Sequence, residues 1–179
     1  METTLDQLRY PVGKFSDPVS FSPIEIKLWI DTLEQFPANM RKAVTGLNDQ
    51  QLDTPYRDGG WTIRQVVHHT ADSHLNCYIR VKLALTEDNP TIRPYLEAKW
   101  AEIPEAKSAP VEISLNILEA IHYRMNLMLR NLSVDDLDRT FYHPENKTTR
   151  PLKTILALYA WHSRHHLAHI TELKKRKGW

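Results

Sequence analysis

PLKTILALYAWHSRHHLAHITELKKRKGW, residues 151–179, decides how the rest of the chain is read. Leu152, Ile155, Leu156, Tyr159, Ile170 and Leu173 recur at helical spacing and mark one apolar direction. Pro151 opens the stretch. Lys174, Lys175, Arg176 and Lys177 close it, placing cations at the negative end of a helix dipole, with Gly178 as a stop signal. The spacing therefore predicts a helix over about 151–177. A single apolar stripe of this length needs other helices to cover it.

Three further stretches supply them. The first opens at SPIE, where Ser22 caps, Pro23 takes the first helical position and Glu25 completes a capping box. It runs to about residue 47, with Pro37 expected to kink or interrupt it. The second opens after DGGW with a box of Thr62 and Gln65 and runs to about residue 86. Its stripe is Ile63, Val66, Val67, Thr70, Tyr78, Val81 and Leu85. The third covers about 111–132, with Ile117, Leu118, Ile121, Met125, Met128 and Leu132 on one face. Strand alternation is weak everywhere. The expected fold is all-α, a four-helix bundle forming a single domain over 1–179, with a long connection, 87–110, between the second and third helices. LSVDDLDRTFYHPENKTTR, 132–150, reads as a short capped helical turn followed by a loop.

A chain of 179 residues that is 41% hydrophobic can build one core. Its net charge of +1 gives no general attraction to nucleic acid or to an anionic membrane surface, and the basic run at 174–177 reads as a solvated helix end. No apolar run is long enough to span a bilayer. The N-terminal METTLDQLRYPVG carries acids and lacks an apolar region, so no secretory leader is expected. The single Cys77 cannot form an internal disulfide, reads as buried packing, and fits a reducing cytoplasm. The expected setting is cytoplasmic, with no nucleic-acid or membrane partner.

The chemistry lies in the histidines. On the 151–177 helix, His166 falls about 20° and His162 about 60° from the centre of the apolar stripe, whereas His165 and His169 fall about 80–120° away. His162 and His166 are therefore the inward pair, spaced so that two imidazoles stack on one face and can share a divalent ion. Two imidazoles are only part of a metal site, and the same pair could be hydrogen-bonded core histidines. A third ligand has to come from HHTADSH on the second helix. The stripe favours His74, about 20° from its centre, over His69 at about 120°, with His68 further still. Val66, His69, Thr70, Ser73 and Cys77 form a second, small and polar edge of that helix, which could face a cavity. The pattern leaves both choices open.

GGWTIRQVVHHTADSH and WHSRHHLAHITEL, together with RYPVGKF, LDTPYRDGGWTIRQVVHH, YIRVKLALTEDNPTIRPY and FYHP, resemble the YfiT branch of the DinB-like superfamily along nearly the whole chain. The resemblance implies a four-helix bundle and a triad made of one histidine in a Trp-led segment of the second helix plus a His-x3-His on the fourth. Matched here, the triad is His69, His162 and His166, with His69 chosen over His74 because HTAD is the corresponding step. Thr70 stands where the family usually carries a larger apolar residue. Leu167-Ala168-His169-Ile170 departs from the Arg-Gly-Gln-Ile of more distant relatives, which leaves the role of His169 open.

The resemblance further implies an enzyme with one divalent ion per subunit, Zn2+ or Ni2+, activating a nucleophile. A small thiol such as bacillithiol, transferred to an electrophile, is the leading expectation. Water, giving hydrolysis, is the alternative, and a non-catalytic helical binding module is the contrasting class. Asp72, one turn from His69, and Arg57 are candidates for orienting or lining the site. Asp58, Trp61 and Arg93 belong to shared segments, although Asp58-Gly59-Gly60 also suits a helix-capping turn. Tyr159 and His122 read as core. A homodimer is expected from the family.

Overall fold

Thr4, Ser22, Asn48, Thr62 and Ser133 each accept a hydrogen bond from the backbone three residues on, and in each case that third residue's side chain bonds back to the cap. Five helix starts are thus written into short polar motifs. The computed structural model describes residues 4–179. Among these described residues lie nine helices: α1 (Leu5–Arg9), α2 (Pro23–Val44), α3 (Asp49–Leu52), α4 (Ile63–Thr86), α5 (Glu97–Trp100), α6 (Pro104–Ser108), α7 (Val111–Leu129), α8 (Val134–Asp138) and α9 (Leu152–Lys177). Between α8 and α9 lies a hairpin, β1 (Thr140–His143) antiparallel to β2 (Thr148–Pro151).

The four long helices α2, α4, α7 and α9 make the expected bundle. Around it the packing order is α2, α9, α4, α7, so the consecutive long helices α2 and α4 sit across a diagonal, as do α7 and α9. Each diagonal crossing needs a connection over the end of the bundle. The 130–151 connection is therefore more than a turn and a loop. Its hairpin holds the 90–92 segment, with Tyr142 N bonding Pro90 O at 2.9 Å and Ile92 N bonding Tyr142 O at 3.0 Å. Arg139 also caps the C-terminus of α4 through the carbonyls of Ala84 and Glu87. Weak alternation hid this hairpin because each strand is four residues long and only Phe141 among them is buried.

The core is divided. One apolar cluster gathers Phe36, Met40, Val66, Val67, Leu115, Leu118 and Ile170. The other gathers Leu33, Cys77, Val81, Met125, Leu152, Ile155 and Tyr159. Between them α4, α7 and α9 contribute His74, His122 and His166, all buried. On α7 the stripe is narrower than expected: Ile117 is exposed, and the helix ends at Leu129, short of Leu132.

Pro37 does not interrupt α2. Leu33, Phe36 and Met40 are buried on either side of it and hold the helical path. The bond that proline deletes, from residue 37 back to the carbonyl of Leu33, is replaced from another helix: His122 Nδ1 lies 2.7 Å from Leu33 O. No helix among the described residues is long and apolar enough to cross a membrane.

The cap at Thr62 starts the helix that carries His69. Thr62→Ala should lower stability by about 1 kcal/mol in chemical denaturation, because the backbone N–H of Gln65 loses its acceptor. An unchanged midpoint would contradict this account of α4.

Candidate metal centre

Helices α4 and α9 pack side by side, and their facing histidines meet. His162 and His166 lie one turn apart on α9 with ring centroids 4.4 Å apart. His69 of α4 stands 4.7 Å from the His166 ring and 5.4 Å from the His162 ring. One nitrogen from each ring falls within 4.8 Å of the others. The closest pair is His69 Nε2 and His162 Nε2, at 3.3 Å.

That separation tests whether a metal fits. Two nitrogens bound to one tetrahedral zinc, each at 2.0–2.1 Å, stand about 3.3–3.4 Å apart. The donor chemistry agrees. Burial, reinforced by the neighbouring imidazoles, holds His162 and His166 well below the usual histidine range, and burial with His165 nearby pushes His69 down to about 4. All three rings are then neutral near pH 7, the state in which imidazole coordinates a cation. The residues present fit a three-imidazole site.

An open cleft of about 430 Å³ leads to these rings. Trp61 forms one wall, its ring 4.6 Å from that of His69. Arg80, Tyr95 and His143 line the far side. The sequence reading missed these three. Arg80 lies on the same helix as His69, and the FYHP segment pointed to His143. The fold of the 90–96 segment and the hairpin, which brings Tyr95 and His143 over α4, left no local periodic signal.

The other expected residues sort by their hydrogen bonds. His74, which the stripe favoured, is fully buried and lies behind His162, with its Nε2 3.2 Å from His162 Nδ1. Periodicity correctly placed it inward, but it stands behind the triad. His68, expected furthest out, is buried against α7 and the preceding connection, bonded to Ser114 Oγ at 2.7 Å and Ala109 O at 3.1 Å. Both its nitrogens are satisfied.

His165 and His169 were expected on the helix flank and are buried instead. Residues from the N-terminal segment and from the loop before α4 cover that flank. His169 Nε2 donates to Arg9 O and its ring stacks on Tyr56 at 3.9 Å, while His165 stacks on Trp161. A periodicity count registers one core direction and cannot register such a cover. His165, His166 and His169 form a second cluster with nitrogens within 4.8 Å, on a neighbouring cleft that Arg57 and Trp61 also line.

Asp72 bonds no imidazole among the described residues; burial and Glu105 push its carboxyl up to about 6. Arg57 donates to Asp58 O within its own loop, and Arg93 lines a different cleft. Gly59, at φ 62°, makes the turn that Asp58 enters. Tyr159 and Cys77 are buried, and burial pushes the Cys77 thiol up to about 12, a packing role.

The family model of the DinB superfamily matches residues 32–170. A Bacillus cereus (strain 03BB102) protein named "Putative metal-dependent hydrolase" is 53% identical over 175 residues, covering 98% of this chain and all of that one. A Bacillus thuringiensis subsp. konkukian protein of the same description is equally similar, at 53% over 175 residues. The solved structure of YfiT from Bacillus subtilis, described as a probable metal-dependent hydrolase with an unusual four-helix bundle topology, superposes with a TM-score of 0.94. It shares 51% identity over 97% of this chain and 99% of that one. A mycothiol-dependent maleylpyruvate isomerase shares the fold alone, with a TM-score of 0.64 and 17% identity over 87% of this chain and 63% of its own.

Acid should unfold the metal-free protein early. His69 and His122 sit at about 4 when folded, against about 6.5 unfolded. Between those values the unfolded chain binds more protons, so stability falls as pH drops through the window and is regained above it. Each such histidine contributes a slope of at most about 1.4 kcal/mol per pH unit. Denaturation midpoints measured in chelator should therefore fall steadily from about pH 7 to about pH 5; a flat or rising profile would contradict the neutral burial of these rings.

Proposed function

The chain belongs to the DinB superfamily, and from that premise we propose that it is a divalent-metal-dependent enzyme whose ion is held by His69, His162 and His166. The observation that carries this reading is the 3.3 Å approach of His69 Nε2 and His162 Nε2 beside His166, at the floor of an open cleft. Zinc suits three imidazoles, and nickel also accepts them. Such a cation, when bound, is a Lewis acid that lowers the pKa of a nucleophile sharing its site.

The remaining work falls to the chain's own residues. Trp61 shields the His69 ring from water along one wall. Arg80 sets a cation on the cleft lining beside the carboxylates of Glu97 and Glu145, so the walls offer both signs of charge to a polar substrate. His143 Nδ1 accepts from Asn146 N at 3.3 Å, which leaves its Nε2–H as a donor at the cleft rim. That donor is suited to a substrate oxygen or a leaving group.

Water as nucleophile gives hydrolysis, the activity in the names of the relatives at 53% identity. Transfer of a small thiol such as bacillithiol to an electrophile is the second reading. The resemblance to the YfiT branch supports it, and the cleft of about 430 Å³ is within the range of small-molecule sites.

Elemental analysis of purified protein should find about one divalent ion per chain, consistent with a single three-ligand site. His69→Ala and His162→Ala should lose it, and His165→Ala should keep it. Metal-loaded protein should then turn over a member of an ester and amide panel, or conjugate bacillithiol to monochlorobimane, with activity lost in His69→Ala. Absence of stoichiometric metal, or full metal in His69→Ala, would favour a non-catalytic bundle. Loss in His165→Ala alone would move the centre to the neighbouring cluster.

A further inference from the structure

Behind the candidate ligands runs a row of imidazoles that the proposed reaction does not use. It begins at Leu33 O, the carbonyl that Pro37 leaves without a helical donor. His122 Nδ1 lies 2.7 Å from that oxygen. His122 Nε2 lies 2.9 Å from His74 Nδ1, and His74 Nε2 lies 3.2 Å from His162 Nδ1. Phe36 stacks on His74 at 5.0 Å and Tyr159 stands edge-on to it at 5.1 Å, so the row is walled by aromatic rings. His74 is fully buried and His122 is 1% exposed, so the row is shut off from bulk water.

The order of the atoms determines where every proton sits. A carbonyl oxygen only accepts, so His122 Nδ1 carries a hydrogen and, in a neutral ring, Nε2 is a bare lone pair. That lone pair can only accept from His74 Nδ1, so His74 also has its hydrogen on Nδ1 and its lone pair on Nε2. The same step repeats at His162: its Nδ1 donates, and its Nε2 lone pair is left facing His69 Nε2.

We propose that Pro37, His122 and His74 act as a positioning relay, in which the proline-freed carbonyl of Leu33 sets the tautomer of two buried histidines and thereby presents the Nε2 lone pair of His162 to a divalent cation. The inference rests on the metal reading of His69, His162 and His166. His74 and His122 touch neither the cation nor a substrate and act only through His162. A ligand ring whose other nitrogen is tied down is held in orientation and made more basic. In this protein a backbone carbonyl performs that role across two intervening rings. The mid-helix proline removes the helical donor that an ordinary residue at 37 would direct at this carbonyl, which leaves it to His122.

Two measurements test the relay. Long-range 1H–15N correlation spectra of histidine-labelled, metal-free protein should show His122 and His74 as Nδ1–H tautomers; an Nε2–H form of either ring would overturn the proposal. Zinc affinity, read by competition with a chromophoric chelator, should fall about 10–100-fold in His74→Leu, which removes the acceptor for His162 Nδ1. His74→Gln should recover most of that loss, because its amide can accept from His162 and donate to His122 at once. Undiminished affinity in His74→Leu, or a Gln variant as weak as the Leu variant, would overturn the relay alone. Wild-type protein that takes up neither zinc nor nickel would overturn the metal reading and the relay with it. Should His74→Leu fail to fold, the wild-type spectra and the Gln variant still decide the matter.

Discussion

A neutral imidazole carries one donor and one acceptor, and burial removes the water that would otherwise satisfy both. This chain buries most of its nine histidines, so the accounting at each ring nitrogen governs what each can do. His68 closes its account on Ser114 and Ala109 and is structural. His122 and His74 close theirs on Leu33 O, on each other and on His162. His69 and His162 are different: their Nε2 atoms converge at 3.3 Å on the cleft side. The proposed metal centre lies where these nitrogens converge, whereas Nδ1 of His165 and of His169, in the neighbouring cluster, also lack partners among the described residues.

The bundle is arranged around that layer. Two apolar clusters close the core on either side of it, and the order α2, α9, α4, α7 sets the two helices that carry the candidate ligands next to each other. Placing consecutive helices on diagonals forces long connections. One of them, the hairpin segment between α7 and α9, supplies His143 to the cleft, and the 87–110 connection between the neighbours α4 and α7 supplies Tyr95. Topology and site are thus linked: the segment that crosses from α7 to α9 also walls the cleft.

Much of this was legible in the sequence, for local reasons. Capping boxes at Ser22 and Thr62 and the glycine at 178 gave helix ends within a few residues, because caps are short-range chemistry. The spacing of His162 and His166 gave the inward pair. What failed was tertiary. His165 and His169 were placed on the flank because nothing in a helical wheel announces that Tyr10 and Tyr56 will cover it. His74 against His69 could not be decided by angle, since both rings point into the bundle at different depths. Pro37 was expected to disrupt α2, and its lost bond is made good by a histidine 85 positions further along the chain. Asp72 fits the spacing for a partner of His69 but bonds no imidazole among the described residues.

The central claim is that His69, His162 and His166 hold a divalent cation through converging lone pairs. Anomalous X-ray diffraction at the zinc and nickel edges, on crystals of protein purified without added chelator, tests it most directly. The account predicts one anomalous peak per chain between the three rings, about 2.0–2.1 Å from the Nε2 atoms of His69 and His162. A peak seated instead between His165 and His169, or none in crystals grown with excess zinc, would contradict it.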